Sequence, residues 1–145
     1  MTEIDFHFNA ADKLSHTCRL LRKAVVVNGA RVVVVADAGM LDAVDAALWQ
    51  FSATDFIAHC RSDGEPQTVS RSPVVLAGAD ATGLPHRQVL VNLGEGVPAG
   101  FERFERLIEV VTADEADRMA GRARWRHYAE RGYVLKRHDL AGSAA

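Results

Sequence analysis

Residues 31–36 read RVVVVA, and this run of four valines decides the fold class. A strand that is exposed on one face alternates apolar and polar side chains, whereas a strand covered on both faces is apolar throughout. The run therefore predicts a central strand of a sheet that is sandwiched between helices. Asp37 follows the run, at a place where α/β proteins often keep functional groups, but ADAGM also fits a simple helix N-cap.

Other short runs rich in β-branched residues flank this strand. The predicted strands are IDFHF (4–8), DFIAHC (55–60), PVVLAG (73–78) and QVLVNL (88–93), with LIEVV (107–111) as a further strand or a helix end. A helix is predicted over 10–27, ending at Asn28-Gly29. A second is predicted over 40–50, where one face carries Met40, Leu41, Val44, Ala47 and Leu48. Two further helices are predicted, over 101–106 and at the C-terminal end.

The alternation of strands and helices predicts an α/β fold. We expect a single-domain, three-layer α/β/α sandwich that is Rossmann-like, with a mostly parallel sheet and no nucleotide-binding motif. The polar loops 61–72 and 94–100 are too short to divide the 145-residue chain. One domain over residues 1–140 and a frayed tail over 141–145 follow from this reading.

The composition predicts a cytoplasmic protein that does not enter a membrane. No apolar run approaches the roughly 20 residues of a membrane span. The first ten residues, MTEIDFHFNA, lack the basic flank and apolar stretch of a signal peptide. Cys18 and Cys60 are 42 positions apart without a CxxC motif, so we expect both thiols to stay reduced.

Sequence motifs for catalysis, cofactors and metals are missing. The chain has no GxGxxG, no phosphate loop, no GxSxG and no HExxH, and its six histidines are scattered. Gly94, Gly96 and Gly100 follow a predicted strand, but their spacing is wrong and Glu95 would repel a phosphate. We therefore expect no catalytic residue, no cofactor and no metal. The rival enzyme class, a small nucleotide-dependent hydrolase, would need a phosphate loop, which this sequence lacks.

The charge of the chain is concentrated near its C-terminal end. The net charge is −2, but residues 1–117 carry 10 Lys/Arg against 17 Asp/Glu, whereas residues 118–138 carry 7 against Glu130 alone. A local patch of this sign attracts an anionic partner.

The basic segment is predicted to be a helix that begins with a capping box at Thr112-Ala113-Asp114-Glu115 and ends before Gly132. At 100° per residue, one arc of this helix carries Arg118, Arg122, Trp125, Arg126 and Ala129. The predicted sheet-facing stripe is Ala116, Met119, Ala120 and Ala123.

The arginine arc has two interpretations. Trp125 and Tyr128 could pack on a neighbouring helix while the arginines are simply solvated. Alternatively, the arc binds a partner. Like charges four residues apart on a helix repel by about 0.2–0.5 kcal/mol per pair, and a ridge of arginines that keeps this repulsion suggests an anionic partner. Arginine forks beside a tryptophan fit an acidic peptide with an aromatic anchor, and they also fit single-stranded nucleic acid.

Three segments together resemble the chi subunit family of the bacterial DNA polymerase III holoenzyme. They are LDAVDAALWQFSATDFIAHC (41–60), GFERFERLIEVV (100–111) and DRMAGRARWRHYAERGY (117–133). The resemblance implies a Rossmann-like fold without nucleotide chemistry. It also implies a non-catalytic adaptor that links the clamp loader to single-stranded DNA-binding protein, SSB, by binding the acidic, phenylalanine-terminated tail of SSB. The implied tail site is Arg118, Arg122, Trp125 and Arg126, with Trp125 standing where relatives have tyrosine or phenylalanine.

A second implied surface, around Trp49 and Phe56, binds the psi subunit or a helicase partner. From the residues alone, Trp49 closes an amphipathic helix and also fits a core position. In this adaptor interpretation the protein meets DNA only indirectly. The alternative is a module that binds single-stranded nucleic acid directly through the same arginines.

Overall fold

The computed structural model describes residues 1–50, 57–81 and 83–142, and within these ranges one seven-stranded sheet organises the chain. Its strands are Glu3–Ala10 (β1), Val32–Val35 (β2), His59–Arg61 (β3), Val74–Ala77 (β4), Val89–Asn92 (β5), Arg106–Thr112 (β6) and Leu135–Asp139 (β7). Their order is β3-β4-β2-β5-β6-β1-β7, and each neighbouring pair is parallel. The predicted parallel α/β fold is confirmed.

Helices cover both faces of the sheet. They are Lys13–Leu21 (α1), Ala38–Gln50 (α2), Pro66–Arg71 (α3) and Glu115–Glu130 (α4), with a π-helical turn at Arg22–Val27 and 3₁₀ turns at Phe101–Arg103 and Leu140–Gly142. Apolar residues of α1 and α2 pack on one face, and those of α3 and α4 pack on the other. The three-layer sandwich follows from this division.

The valine run forms strand β2 and is covered on both faces, as its composition predicts. Val32 and Val34 pack in the core under α1 and α2, whereas Val33 and Val35 pack in the core on the α4 side. All four side chains are buried. Asp37 accepts a hydrogen bond of 2.8 Å from the Met40 amide, so its N-cap role is confirmed.

Several predicted element boundaries change in the structure. The helix predicted over 10–27 is α1 followed by the π-helical turn, and Gly29 has the expected positive φ of 65°. LIEVV belongs to strand β6, the helix predicted over 101–106 is only one 3₁₀ turn, and the loop predicted over 61–72 contains α3. Of the strand predicted over 55–60, residues 55 and 56 lie outside the described residues. The predicted tail residues 143–145 lie outside them as well.

The predicted capping box at the start of α4 is wrong. Thr112 ends strand β6, and Asp114 is the N-cap, accepting a hydrogen bond of 3.3 Å from the Asp117 amide. The Asp117 carboxylate instead accepts from the Thr112 amide and hydroxyl and pairs with Lys13 at 3.0 Å. Gly132, with a φ of 82°, ends the helix as predicted. Within the described ranges, no helix has the length and apolar character to cross a membrane.

Candidate functional site

The face of α4 that packs on the sheet differs from the predicted one. Ala116, Met119 and Ala123 are exposed, with Met119 at 61%, and Ala120 is only partly buried. The sheet-facing stripe is Asp117, Gly121, Arg124 and Tyr128. Gly121 explains the close packing, because a Cβ added there would lie 3.0 Å from a methyl of Val111. The sheet-facing positions of α4 are therefore occupied mainly by polar side chains, and not by the small apolar residues that the sequence predicts there.

A polar network lies under α4, and it shows why Arg124 is buried. Glu109 on β6 is fully buried, and one of its oxygens accepts from Arg124 Nε at 2.9 Å. Its other oxygen accepts from the Tyr128 hydroxyl at 2.5 Å, and Asn92 Nδ2 lies 3.0 and 3.1 Å from the two oxygens. Buried charges persist in proteins when they are paired and hydrogen-bonded in this way. Arg124 is therefore held inside the protein, unlike the exposed arginines of the same helix, Arg118, Arg122 and Arg126.

The ionisation of this network follows from its burial. Burial raises the pKa of the Tyr128 phenol far above its ordinary value, and the adjacent Glu109 carboxylate raises it further. Tyr128 therefore remains a hydrogen-bond donor at any physiological pH.

Three of the four predicted tail-site residues line one pocket. Arg118, Arg122 and Trp125 lie on the wall formed by α4, and the pocket has a volume of about 350 Å³. The remaining lining residues come from β1, β6, α4 and β7, and they are Phe6, Phe8, Asn9, Val111, Thr112, Gly121 and Arg137. Arg126 is exposed on the same helix but does not line the pocket.

Trp125 lies partly inside the pocket wall. Its ring meets Phe6 of β1 edge-on, with centroids 5.0 Å apart, and the side chain is half-buried. The interpretation in which Trp125 packs on a neighbouring helix is wrong, because its ring contacts a strand. Tyr128 lies beneath α4, and its ring meets Phe101 of the 3₁₀ turn edge-on at 5.1 Å. Trp125 thus supplies an apolar surface next to the arginines.

The pocket carries uncompensated positive charge. Within the described part of the chain, no carboxylate lines it, and none forms an ion pair with Arg118, Arg122 or Arg126. Arg137, on the opposite wall, places its guanidinium carbon 4.8 Å from the centroid of the Phe8 ring. Arginine forks over an apolar floor suit a ligand that combines carboxylates with an apolar group.

The second predicted surface is described only in part. Trp49 is 63% exposed, so the core interpretation of this residue is wrong. Its ring meets His59 edge-on at 5.3 Å, and His59 Nε2 lies 2.8 Å from Asp45 Oδ1. Phe56 lies outside the described residues.

Three histidines from three different elements meet at β1. His7 Nδ1 lies 3.0 Å from His16 Nε2, and the His7 ring packs edge-on against His138 at 4.8 Å. Across the described residues, no group of histidine, cysteine or acidic side chains has the geometry to hold a metal. Both cysteines are free, with Cys18 buried.

The sequence of this chain matches a family model and two known relatives. The family described as DNA polymerase III chi subunit, HolC, matches residues 1–136. DNA polymerase III subunit chi of Pseudomonas aeruginosa is 33% identical over 144 residues, covering 97% of this chain and 98% of that protein. The subunit chi of Haemophilus influenzae is 27% identical over 97 residues, covering 67% of this chain and 66% of that protein.

Solved structures share the fold at low identity. The C-terminal domain of the DEAD-box protein Dbp5 is 14% identical with a TM-score of 0.59, covering 97% of this chain and 91% of that one. Dbp5 of S. cerevisiae bound to RNA and ADP BeF3 gives 13% and 0.66, covering 96% of this chain and 41% of that one. These likenesses show the fold alone. The family match and the Pseudomonas relative show more: this chain belongs to the DNA polymerase III chi subunit family.

Proposed function

We propose that this protein is a non-catalytic adaptor that binds the acidic C-terminal tail of SSB and links it to the clamp loader. The observation that carries the proposal is the pocket at α4, where Arg118 and Arg122 stand beside Trp125 over an aromatic floor. Membership in the family makes the chain an accessory component of DNA polymerase III with protein partners in the holoenzyme. The tail and the loader are the partners that we assign to particular surfaces.

The pocket fits a peptide tail better than it fits a nucleic-acid strand. Proteins that bind single-stranded nucleic acid combine a long basic groove with aromatic faces on which successive bases stack. Here Arg118, Arg122 and Arg137 line one short pocket, and Trp125 is packed against Phe6. The chain as a whole is acidic, with a net charge of −2. A short acidic segment with an apolar end uses both the charge and the floor.

A second surface, around Trp49, is our proposed docking site for the loader side, which is the psi subunit or a helicase. An exposed tryptophan at the end of a helix is a frequent anchor at protein interfaces. Trp49 lies on α2, whereas the pocket lies under α4 on the other face of the sheet. Two partners can therefore bind without competing for space.

The tail site is tested by titrating SSB tail peptide into wild-type protein and the Arg122→Ala variant. We expect the variant to bind about 10- to 100-fold more weakly, because one charge-assisted contact contributes roughly 1.5–3 kcal/mol. The affinity of the wild type should also fall as salt is added. Arg131→Ala is the matched control, because Arg131 is exposed on the same chain segment outside the pocket.

Equal affinities of wild type and Arg122→Ala would exclude this site. Single-stranded DNA, added in the absence of SSB, separates the adaptor from a direct nucleic-acid module. An adaptor binds it weakly, whereas tight binding that is lost in Arg122→Ala would favour the alternative.

A further inference from the structure

A partly buried ion pair lies behind one wall of the pocket at α4. Lys13, at the start of α1, places its Nζ atom 3.0 Å from Asp117 Oδ1 in the first turn of α4. The two side chains are only 13% and 18% exposed. Because α1 and α4 cover opposite faces of the sheet, this contact joins the two faces at the carboxyl ends of the strands.

Asp117 reaches the pocket through Thr112. Its second carboxylate oxygen, Oδ2, accepts hydrogen bonds of 2.7 Å from the Thr112 amide and 2.9 Å from the Thr112 hydroxyl. Thr112 lines the pocket, whereas Asp117 and Lys13 do not. A negative charge therefore stands one residue behind the surface that an acidic ligand would approach.

The Asp117 carboxylate is ionised at neutral pH. Burial by itself raises its pKa, but the hydrogen bonds from Thr112 and the charge of Lys13 outweigh this effect and lower the pKa below its ordinary value. A partly buried charge is screened less by water and salt than an exposed one. Asp139 provides the contrast, because it accepts a hydrogen bond from the lining residue Asn9 but is itself exposed. Of these two carboxylates, Asp117 is the one whose charge needs a fixed cation.

We propose that Lys13 is a positioning residue for tail binding, which holds and neutralises the Asp117 carboxylate and so keeps the pocket attractive to an acidic peptide. Lys13 acts through Asp117 and touches no ligand. Without the lysine charge, the carboxylate behind Thr112 would repel the anionic groups that Arg118 and Arg122 bind. This proposal rests on the proposed function, because it concerns the charge of the same pocket.

A double-mutant experiment separates this electrostatic role from a purely structural one. SSB tail peptide is titrated at low salt into wild type, Lys13→Met, Asp117→Asn and the double variant Lys13→Met/Asp117→Asn. Asparagine keeps an oxygen that can accept from Thr112, but it carries no charge. Thermal unfolding of each variant checks that the fold is kept.

Lys136→Met is the matched control, because it removes the same charge from an exposed position outside the pocket. Lys136 precedes the lining residue Arg137 on β7, so its side chain points to the other face of the sheet.

Lys13→Met should bind the peptide about three- to tenfold more weakly, since an unpaired, partly buried charge beside the pocket repels the carboxylates of the peptide. The difference from wild type should shrink as salt is added. Asp117→Asn should bind at least as tightly as wild type, and the double variant should lie within about twofold of wild type, because both lack the repelling charge. Lys136→Met should change the affinity by less than about twofold, since its charge is exposed and screened.

A double variant that binds as weakly as Lys13→Met would overturn the proposal, because the loss would then come from the broken contact and not from the charge. Equal affinities of wild type and Lys13→Met would overturn it as well. The same holds if Lys136→Met is as weak as Lys13→Met, since that would show a general effect of net charge.

If Lys13→Met does not fold, Asp117→Asn decides the question alone. Binding at least as tight as that of wild type is the expected result, and weaker binding would overturn the role of the lysine charge. Wild-type protein that does not bind the peptide would overturn the proposed function itself, so the two failures are distinguishable.

Discussion

Arg122 and Arg124 are two positions apart on α4, yet the structure gives them opposite environments. Arg122 is exposed at the pocket, whereas Arg124 is 2% exposed and pairs with the fully buried Glu109. Arg124 Nη1 also donates to the Glu95 carbonyl at 2.8 Å. A charged pair in the interior stabilises a fold only while both partners are present, since the survivor of a broken pair is left without compensation.

We predict that Arg124→Met lowers the free energy of unfolding by about 3–5 kcal/mol, because it leaves the Glu109 carboxylate buried without its cation. Arg122→Met, on the exposed side of the same helix, should change it by less than about 0.5 kcal/mol. Urea unfolding followed by circular dichroism measures both. A loss in Arg124→Met no larger than that in Arg122→Met would contradict the assigned network.

The sequence predicts the arginines of the pocket wall better than it predicts the buried one. Arg118, Arg122 and Trp125 share a helical arc, and helical periodicity alone brings them together. Arg124 has the same chemistry, and its burial depends on Glu109, a residue on another element that no local pattern reveals. For the same reason, the apolar stripe predicted at Met119 is exposed while a polar stripe faces the sheet.

At the scale of elements, a cluster of three histidines lies where β1 packs against α1 and β7. His7 on β1 contacts His16 on α1 and His138 on β7. Burial lowers the pKa of His7 from 6.5 to about 4, and His16, His138, Lys23 and Arg106 add to the shift. Burial also lowers the pKa of His16. His7 is therefore uncharged near neutral pH while β1, α1 and β7 are packed together.

The pH dependence of stability follows from this shift. Because the folded-state pKa of His7 lies below the unfolded value, the unfolded chain binds more protons between pH 6.5 and about 4. Stability should therefore fall as the pH is lowered through this window. From pH 6.5 to 5 we expect a loss of about 1 kcal/mol from His7, less than the full linkage value because the half-buried ring is screened by solvent.

Unfolding of wild type and His7→Phe at several pH values in this range measures the effect. The variant should have the flatter curve, since phenylalanine does not titrate. Two curves with the same slope between pH 6.5 and 5 would show that His7 does not contribute.

Strand β7 is an element that the sequence patterns do not predict. Its sequence, LKRHD, lacks the apolar alternation that marks a half-buried strand, and four of its five residues are exposed. It joins the sheet as an edge because β1 offers a parallel neighbour and the turn at Gly132 directs the chain there. Arg137 lines the pocket only because β7 pairs with β1, so no pattern in the sequence predicts its position there.

At the scale of the whole molecule, the two proposed surfaces lie far apart. Trp49 packs beside His59 on β3, whereas Trp125 packs on Phe6 of β1. Four strands separate β3 from β1 in the sheet, which gives a distance of about 24 Å at roughly 4.8 Å per strand. The surfaces also lie on opposite faces. This separation suits an adaptor that holds two partners together.

The chain contains two tryptophans, and they report separately on the two surfaces. The tail site is therefore tested most sharply by a nuclear magnetic resonance titration that follows both indole N–H signals while SSB tail peptide is added to ¹⁵N-labelled protein. We expect the Trp125 signal to shift with peptide concentration, the Trp49 signal to stay in place, and Arg122→Ala to suppress the shift. A titration in which the Trp49 signal moves and the Trp125 signal does not would exclude the pocket at α4 as the tail site.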